Sequence, residues 1–421
     1  MDMDENQLLG DDEEASDKED DEIKPTDVLI ALAMTEDDYS HLEIQVMTEE
    51  GSLYTHHDIL LPDFPLCLAW LDCPPYLQED GQQNTVGNYM AVGTFSPGIE
   101  IWNLDVLDVI EPSGVLGGLE GSSKKKKKNK DKVRYKPGSH EDAVLSLSWN
   151  AIFRQAIASG SADSSVKIWD VTSQRCSYTS THHTDKVQSV LWHYSEAWLL
   201  ATGSFDKTIA LLDCRSAATA TVCGLPADVE CLAWDPFLPY HLYTSLENGQ
   251  IICMDIRNCT NNSTKPSAAN NIVCQFQAHE KAASSLQFSK QVQGMLATAS
   301  VDKTVKVWDV SHLHEDMNPV AYKSMSVGKL LAMQFSPNDP FMLATAGDKG
   351  MVAIWESDEN ETIANHFQSR LADKADGEVA SELLGIQKKE VDESWMEDNM
   401  GIAGAKVDGE KKSKKKKKDK K

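Results

Sequence analysis

His140, Ser159 and Asp163 fall within one stretch, HEDAVLSLSWNAIFRQAIASGSADSSVKIWD (140–170), that also carries Trp169. A serine, a histidine and an aspartate are the raw material of nucleophilic acyl transfer. There the imidazole takes the hydroxyl proton and the carboxylate orients the imidazole. Spacing argues against that chemistry. His140 stands nineteen residues before Ser159, twenty-three before Asp163 and twenty-nine before Trp169. The same intervals return in His279, Thr298, Asp302 and Trp308, and again in His183, Thr202 and Asp206 with Leu212 in the Trp place. Thr244 and Thr345 keep the hydroxyl position where the His is lost. A catalytic triad occurs once per active site, whereas a constellation repeated in copy after copy belongs to a scaffold.

Other chemistry finds little support. There is no GxxxxGK[ST], no GxGxxG opening a helix and no HExxH. His56–His57 and His182–His183 are adjacent pairs, and neighbours on a strand point to opposite faces, so neither pair is expected to share a metal. Nine Cys, an odd number without a CxxC pair, read as scattered reduced thiols packed as small hydrophobes. The residues therefore predict a non-enzyme with no cofactor, no metal and no small-molecule substrate.

The elements that carry these residues repeat as well. An aromatic closes an apolar strand at Trp70, Trp149, Trp192, Trp234, Phe288 and Phe335. A second anchor sits in a later strand at Trp102, Trp169, Leu212, Met254, Trp308 and Trp355. From the second unit on, the two anchors are twenty residues apart. Between them IASGSADSSVKIWD, LATGSFDKTIALLD and LATASVDKTVKVWD each read as strand, Asp-led turn, strand. Another strand-length segment precedes the next unit. Four strands per unit of about forty-three residues predict an all-β propeller rather than separate domains. Ahead of the first full unit, VLIALAM, HLEIQVM and SLYTHHDILL predict three further antiparallel strands.

Charge divides the chain. The net charge is −26, with −11 on residues 1–22, +7 on 120–136, −9 on 358–410 and +8 on the last eleven residues. The remaining body holds −21 and is acidic. We expect an acidic disordered tail over 1–22, a propeller over 23–357 and a mostly disordered tail over 358–421. The propeller carries a Lys-rich insertion at 120–136 and an Asn-rich loop at 258–271. Lys124, Lys125, Lys126, Lys127, Lys128, Lys130 and Lys132, with Lys414, Lys415, Lys416, Lys417 and Lys418, form two tracts suited to nuclear import or RNA contact. A tract neutralising about seven phosphates binds without sequence preference and with strong salt dependence. Lys186, Lys207, Lys281, Lys303 and Lys349 fall near turns of one rim, although Asp-Lys-Thr is also an ordinary turn sequence. In the C-terminal segment, ADGEVASELLGIQKKE reads as a helix, and Trp395 and Met396 as part of a short docking peptide. No run approaches the roughly 18–20 apolar residues of a membrane span, and the N-terminus is not signal-like, so the chain reads as soluble and intracellular.

These units resemble WD40 repeats. The run YTHHDILL, the GNYMAVG…IEIWNLD unit, the Lys-rich insertion and HTDKVQSVLWH are similar to the periodic tryptophan protein 1 family of nuclear WD-repeat proteins. The resemblance covers roughly 23–357. It implies a seven-bladed propeller with six clear blades and an incomplete N-terminal one, because the family's first Ala-Trp strand is missing here. It also implies that Trp169, Ser159, His140 and Asp163 form a hydrogen-bond chain inside a blade. The function implied is a nuclear, largely nucleolar, scaffold of ribosome biogenesis, acting in pre-rRNA processing and large-subunit maturation. Its partners would be proteins of pre-ribosomal particles, basic ribosomal proteins or histones, with RNA contact through the Lys tracts and no membrane. The alternatives are a chromatin factor supporting rRNA-gene transcription, or a substrate receptor of a cullin ubiquitin ligase. In such receptors an Asp-x-Arg similar to Asp213–Arg215 and Asp255–Arg257 supports adaptor docking.

Overall fold

Each strand–turn–strand run folds back on itself as one antiparallel sheet, and seven such sheets follow one another along the chain as the blades of a β-propeller. This is a computed structural model that describes residues 23–371, except 25, 38, 77–85, 121–133, 216–219, 260–270 and 314–316. Blades 1 to 7 span 28–61, 65–117, 144–180, 187–224, 229–277, 285–324 and 330–356. Blades 2 to 6 have four strands, paired in chain order from the inside of the ring outwards.

A single sheet has two apolar faces and cannot bury either alone, so the core lies between blades. Among the described residues there are six clusters of buried side chains, one between each successive pair of blades. The second anchor is the centre of each unit: Trp102, Trp169, Leu212, Met254, Trp308 and Trp355 are all buried. The first anchor is less uniform. Trp192, Trp234, Phe288 and Phe335 are buried, but Trp70 is 45% exposed and meets Trp149 edge-on at 5.5 Å.

Two local devices make the close stacking work. The inner strand of five blades shifts register at its second residue, as between Val144 and Ser146 or Val187 and Ser189. A bulge there adds twist, which helps neighbouring blades splay around the axis. The small residues of Ala-Ser-Gly and Ala-Thr-Gly also do more than keep turns short. A Cβ on Gly160 would fall 2.7 Å from Val187 Cγ1 of the next blade, and Gly203 faces Val229 in the same way. Glycine lets the blades approach.

The ends of the chain depart from the expected count. Blade 1 has three strands, Val28–Thr35, Ser40–Met47 and Leu53–Leu61, as the sequence predicts. Blade 7, expected to be complete, also has three: Leu330–Phe335, Met342–Gly347 and Met351–Glu356. The chain after Glu356 neither adds its fourth strand nor completes blade 1 within the described residues. It turns through a 3-10 segment, Ser357–Glu359, into a helix, Glu361–Phe367, capped by Asn360 accepting from the Thr362 N–H. Ile363 and Phe367 sink into the core between blades 6 and 7. Residues 358–371, expected to begin a tail, are thus part of the folded body. At the seam between blades 7 and 1, Met34 Cε lies 3.8 Å from where a Cβ on Gly350 would be.

Candidate functional site

The antiparallel order places the segment before each inner strand and the turn between the second and third strands at the same end of a blade. That is where the recurrent His and Asp meet. In blade 3 the Trp169 indole N–H donates to Ser159 Oγ at 2.8 Å, Ser159 Oγ lies 2.7 Å from His140 Nε2, and His140 Nδ1 lies 2.9 Å from Asp163 Oδ2. Blade 6 repeats the chain through Trp308, Thr298, His279 and Asp302 at 2.9, 2.8 and 2.9 Å. Because the hydroxyl accepts from indole, it donates to Nε2. The imidazole is then neutral and gives its Nδ1 proton to the carboxylate. Burial lowers the pKa of His140 and His279 against the pull of the aspartates. Burial opposes ionisation of Asp163 too, but hydrogen bonds from His140, Ser165 and the Glu141 N–H outweigh it and hold the carboxyl well below its usual range. Every polar atom of the chain is spoken for within the blade.

Blade 4 closes the network differently. Thr202 Oγ1 meets His183 Nε2 at 2.9 Å, but with Leu212 in place of Trp it donates to the Ala210 carbonyl at 3.3 Å. His183 Nδ1 reaches Asp206 Oδ2 at 3.0 Å. His182 joins the same hydroxyl, its Nε2 3.2 Å from Thr202 Oγ1, and the two rings pack with centroids 4.1 Å apart. The expectation that adjacent histidines diverge is therefore corrected at both pairs. His182 and His183 lie ahead of the strand, where strand alternation does not apply. His56 and His57 sit at a register shift opposite Ile44 and Gln45, and their Nδ1 atoms are 2.8 Å apart. No group of three or more metal-ligating side chains forms among the described residues. In blade 2, Trp102 donates to Glu100 Oε2 at 3.2 Å, because Val92 occupies the hydroxyl position.

The two faces of the ring differ. The end that holds the His and Asp residues also carries Lys186, Lys207, Lys281, Lys303 and Lys349, all exposed. Lys207 and Lys303 adopt positive φ (63° and 75°) at the same turn position, so the Asp-Lys-Thr turns are geometrically equivalent. The Lys-rich insertion joins the outer strand of blade 2 to the inner strand of blade 3 and so leaves from this same end. Its base is stitched by the Glu120 N–H to the Arg134 carbonyl at 2.8 Å and the Lys136 N–H to the Gly118 carbonyl at 2.9 Å. The tracts Lys124–Lys132 and Lys414–Lys418, the segment 375–390 expected to be helical, Trp395 and Met396 lie outside the described residues.

The opposite end carries the Asp-x-Arg pairs. Arg215 forks onto Asp213 at 2.9 and 2.6 Å and stacks on Trp198 at 4.3 Å. Arg257 forks onto Asp255 at 3.0 and 2.6 Å and stacks on Tyr240 at 4.6 Å. The aromatic partners escape a motif reading because they lie in another loop. Their signal is present all the same, since each precedes its Arg by seventeen residues. On the inner strand of blade 5, burial together with Glu247 and Asp228 raises the Glu230 carboxyl to about 6. No helix among the described residues is long and apolar enough to cross a membrane.

The sequence matches the WD domain, G-beta repeat family at residues 132–170, 174–213 and 270–309, which hold the three inner strands of blades 3, 4 and 6, the last two together with the outer strand of the blade before. It is 43% identical over 85% of its length to an uncharacterised WD repeat-containing protein of Schizosaccharomyces pombe, spanning 66% of that relative. It is 32% identical over 82% of its length to the periodic tryptophan protein 1 homolog of Drosophila melanogaster, spanning 71% of it. With periodic tryptophan protein 1 of Saccharomyces cerevisiae it shares 31% identity over 83% of its length, spanning 66% of the relative. The match spans about two thirds of the length of each of these relatives. With the ruler of anchors, the repeated polar chain and these similarities in agreement, the chain belongs to the periodic tryptophan protein 1 family of WD40-repeat propellers.

Proposed function

We propose that the protein is a non-catalytic assembly scaffold of ribosome biogenesis, working in the nucleus and chiefly the nucleolus on pre-rRNA processing and large-subunit maturation. One observation carries the reading. The Lys-rich insertion leaves the ring from the end that exposes Lys186, Lys207, Lys281, Lys303 and Lys349, on a body that is otherwise acidic. A Lys-rich insertion on an acidic ring suits simultaneous hold of an RNA and of basic proteins, such as ribosomal proteins, at separate places. Family membership supports the same reading. The recurrent His, Ser/Thr and Asp side chains are consumed by blade construction, which leaves surfaces rather than a reaction centre as the working parts.

The test is affinity purification of the tagged chain from nuclear extract, with and without RNase. Recovery of pre-ribosomal particles, with loss of part of them on RNase treatment, is the expected result. Recovery of rRNA-gene chromatin without precursor RNA, or of a cullin adaptor without ribosomal proteins, would overturn it.

A further inference from the structure

Two of the nine cysteines, 36 residues apart in sequence, meet between neighbouring blades. Cys223 lies on the outer strand of blade 4, Thr221–Gly224. Cys259 follows the third strand of blade 5 and the 3-10 turn Ile256–Asn258. Their sulfurs are 3.2 Å apart and unbonded. The Asn271 amide donates to both, at 3.5 Å to Cys223 and 3.3 Å to Cys259. Asn271 is itself fixed, because its carbonyl accepts from the Asp255 N–H at 2.9 Å.

This is more than close packing of small hydrophobes. The hydrogen bond between the two thiols lowers Cys223 to about 7 against the effect of burial, with the Asn271 amide helping, while Cys259 itself is raised. Loss of hydration by contrast pushes the Cys67 and Cys253 thiols up to about 12. A thiolate that forms near neutrality, with a second sulfur at hand and an amide N–H aimed between them, is the arrangement of a resolving pair. Cys223 is buried and Cys259 partly exposed, so the pair opens to solvent on the Cys259 side.

We propose that Cys223 and Cys259 are a redox-active dithiol, which a peroxide converts into a disulfide that staples blade 4 to blade 5. The Cys223 thiolate attacks one peroxide oxygen. The O–O bond breaks, and the departing hydroxide takes a proton to become water, leaving a sulfenic acid on Cys223. Cys259 sulfur then attacks Cys223 sulfur, the S–O bond breaks, and the second hydroxide leaves as water with the Cys259 proton. Two thiols lose two electrons and one peroxide gains them. The move is short, since the sulfurs need close only from 3.2 Å to the ~2.05 Å of a disulfide.

The experiment uses the full reduced chain, titrated with hydrogen peroxide, quenched with N-ethylmaleimide and mapped without reduction. The expected result is a Cys223–Cys259 cross-linked peptide that appears at least tenfold faster than label is lost from Cys67 or Cys253, and that dithiothreitol reverses. Loss of label at all these sites at one rate, or sulfinic acid without a cross-link, overturns the proposal. C259S, checked for an unchanged thermal unfolding profile, should trap Cys223 as a dimedone-reactive sulfenic acid. In the wild type, alkylation of Cys223 should titrate near pH 7 and move upward by a unit or more in C259A, which removes the hydrogen-bonding partner. An unmoved midpoint would count against the pair just as a missing cross-link would, and does not depend on peroxide reaching the site.

Discussion

His140 Nε2 lies 2.7 Å from Ser159 Oγ, and both residues are 0% exposed. A nucleophile and base sealed in this way meet no substrate, so their work is structural. Substituting His140→Ala strands a carboxylate and a hydroxyl and opens a cavity, which should cost about 2–4 kcal/mol. Trp169→Phe, which removes one donor and little volume, should cost about 1–2 kcal/mol. Urea unfolding measures both. Destabilisation below about 0.5 kcal/mol for His140→Ala would reopen a role outside the blade.

The same chains set an acid limit. Burial keeps His140 and His279 neutral and lowers His182 to about 4, so below about pH 6.5 the unfolded chain binds protons that the folded chain refuses. Asp163 and Asp206 are held below the usual carboxylate range and add the same effect as pH falls further. Stability should therefore decline from pH 6.5 downwards and more steeply below about pH 4. A flat profile of unfolding midpoint between pH 7 and 4.5 would contradict the buried neutral imidazoles.

Glu230 works in the opposite sense. Its carboxyl is raised to about 6 from 4.5, so the folded chain favours the protonated form, and ionisation above that pH costs stability. Glu230→Gln should gain about 1 kcal/mol at pH 7.5, a figure discounted for partial exposure, and nothing at pH 4.5. A gain independent of pH would show that the carboxylate is not the cause.

Replacing the seven lysines of 124–132 by Gln should weaken RNA binding most at low salt. The slope of log K against log salt should flatten by several units, at ~0.7 for each phosphate left unneutralised on a single strand. Fluorescence anisotropy with a short RNA across a salt series reads this. Deleting 124–132 together with 411–421 should also release the protein to the cytoplasm, whereas a fully nuclear double deletion removes the import role.

Three hydrogen bonds tie Asp309 to the C-terminal segment, His366 Nε2 at 2.7 Å and the Arg370 guanidinium at 2.8 Å on each oxygen, and Ser311 adds two from its N–H and hydroxyl. Asp309→Ala should loosen the Glu361–Phe367 helix from blades 6 and 7 without unfolding the ring. Hydrogen exchange should show at least tenfold lower protection across 361–371 and unchanged protection in blade 3. Arg215 and Arg257 offer a parallel test, since replacing both by Ala abolishes adaptor recovery only if the ubiquitin-ligase reading holds.

The sequence by itself determined the blade. A hydroxyl nineteen residues after a His recurs in blades 3, 4 and 6 because each must satisfy a buried imidazole, and in blades 3 and 6 the same hydroxyl also satisfies a buried indole ten residues on. Local spacing therefore carries the whole of that geometry. Glycine spacing encodes blade contact in the same way, although Gly160 looks like a turn residue until Val187 is seen against it. What joins distant parts was not legible in that pattern. Within the described residues blade 7 has three strands, and Ile363 and Phe367 of the helix that follows are buried between blades 6 and 7. His56 meets His57 because a register shift, set by pairing with Gln45, breaks the strand alternation. Cys223 meets Cys259 only because two blades stack, and no spacing rule within one repeat connects an outer strand to the next blade's turn. Periodicity reports interactions that every repeat makes, within itself and with the next blade, and tertiary structure decided the contacts that occur once.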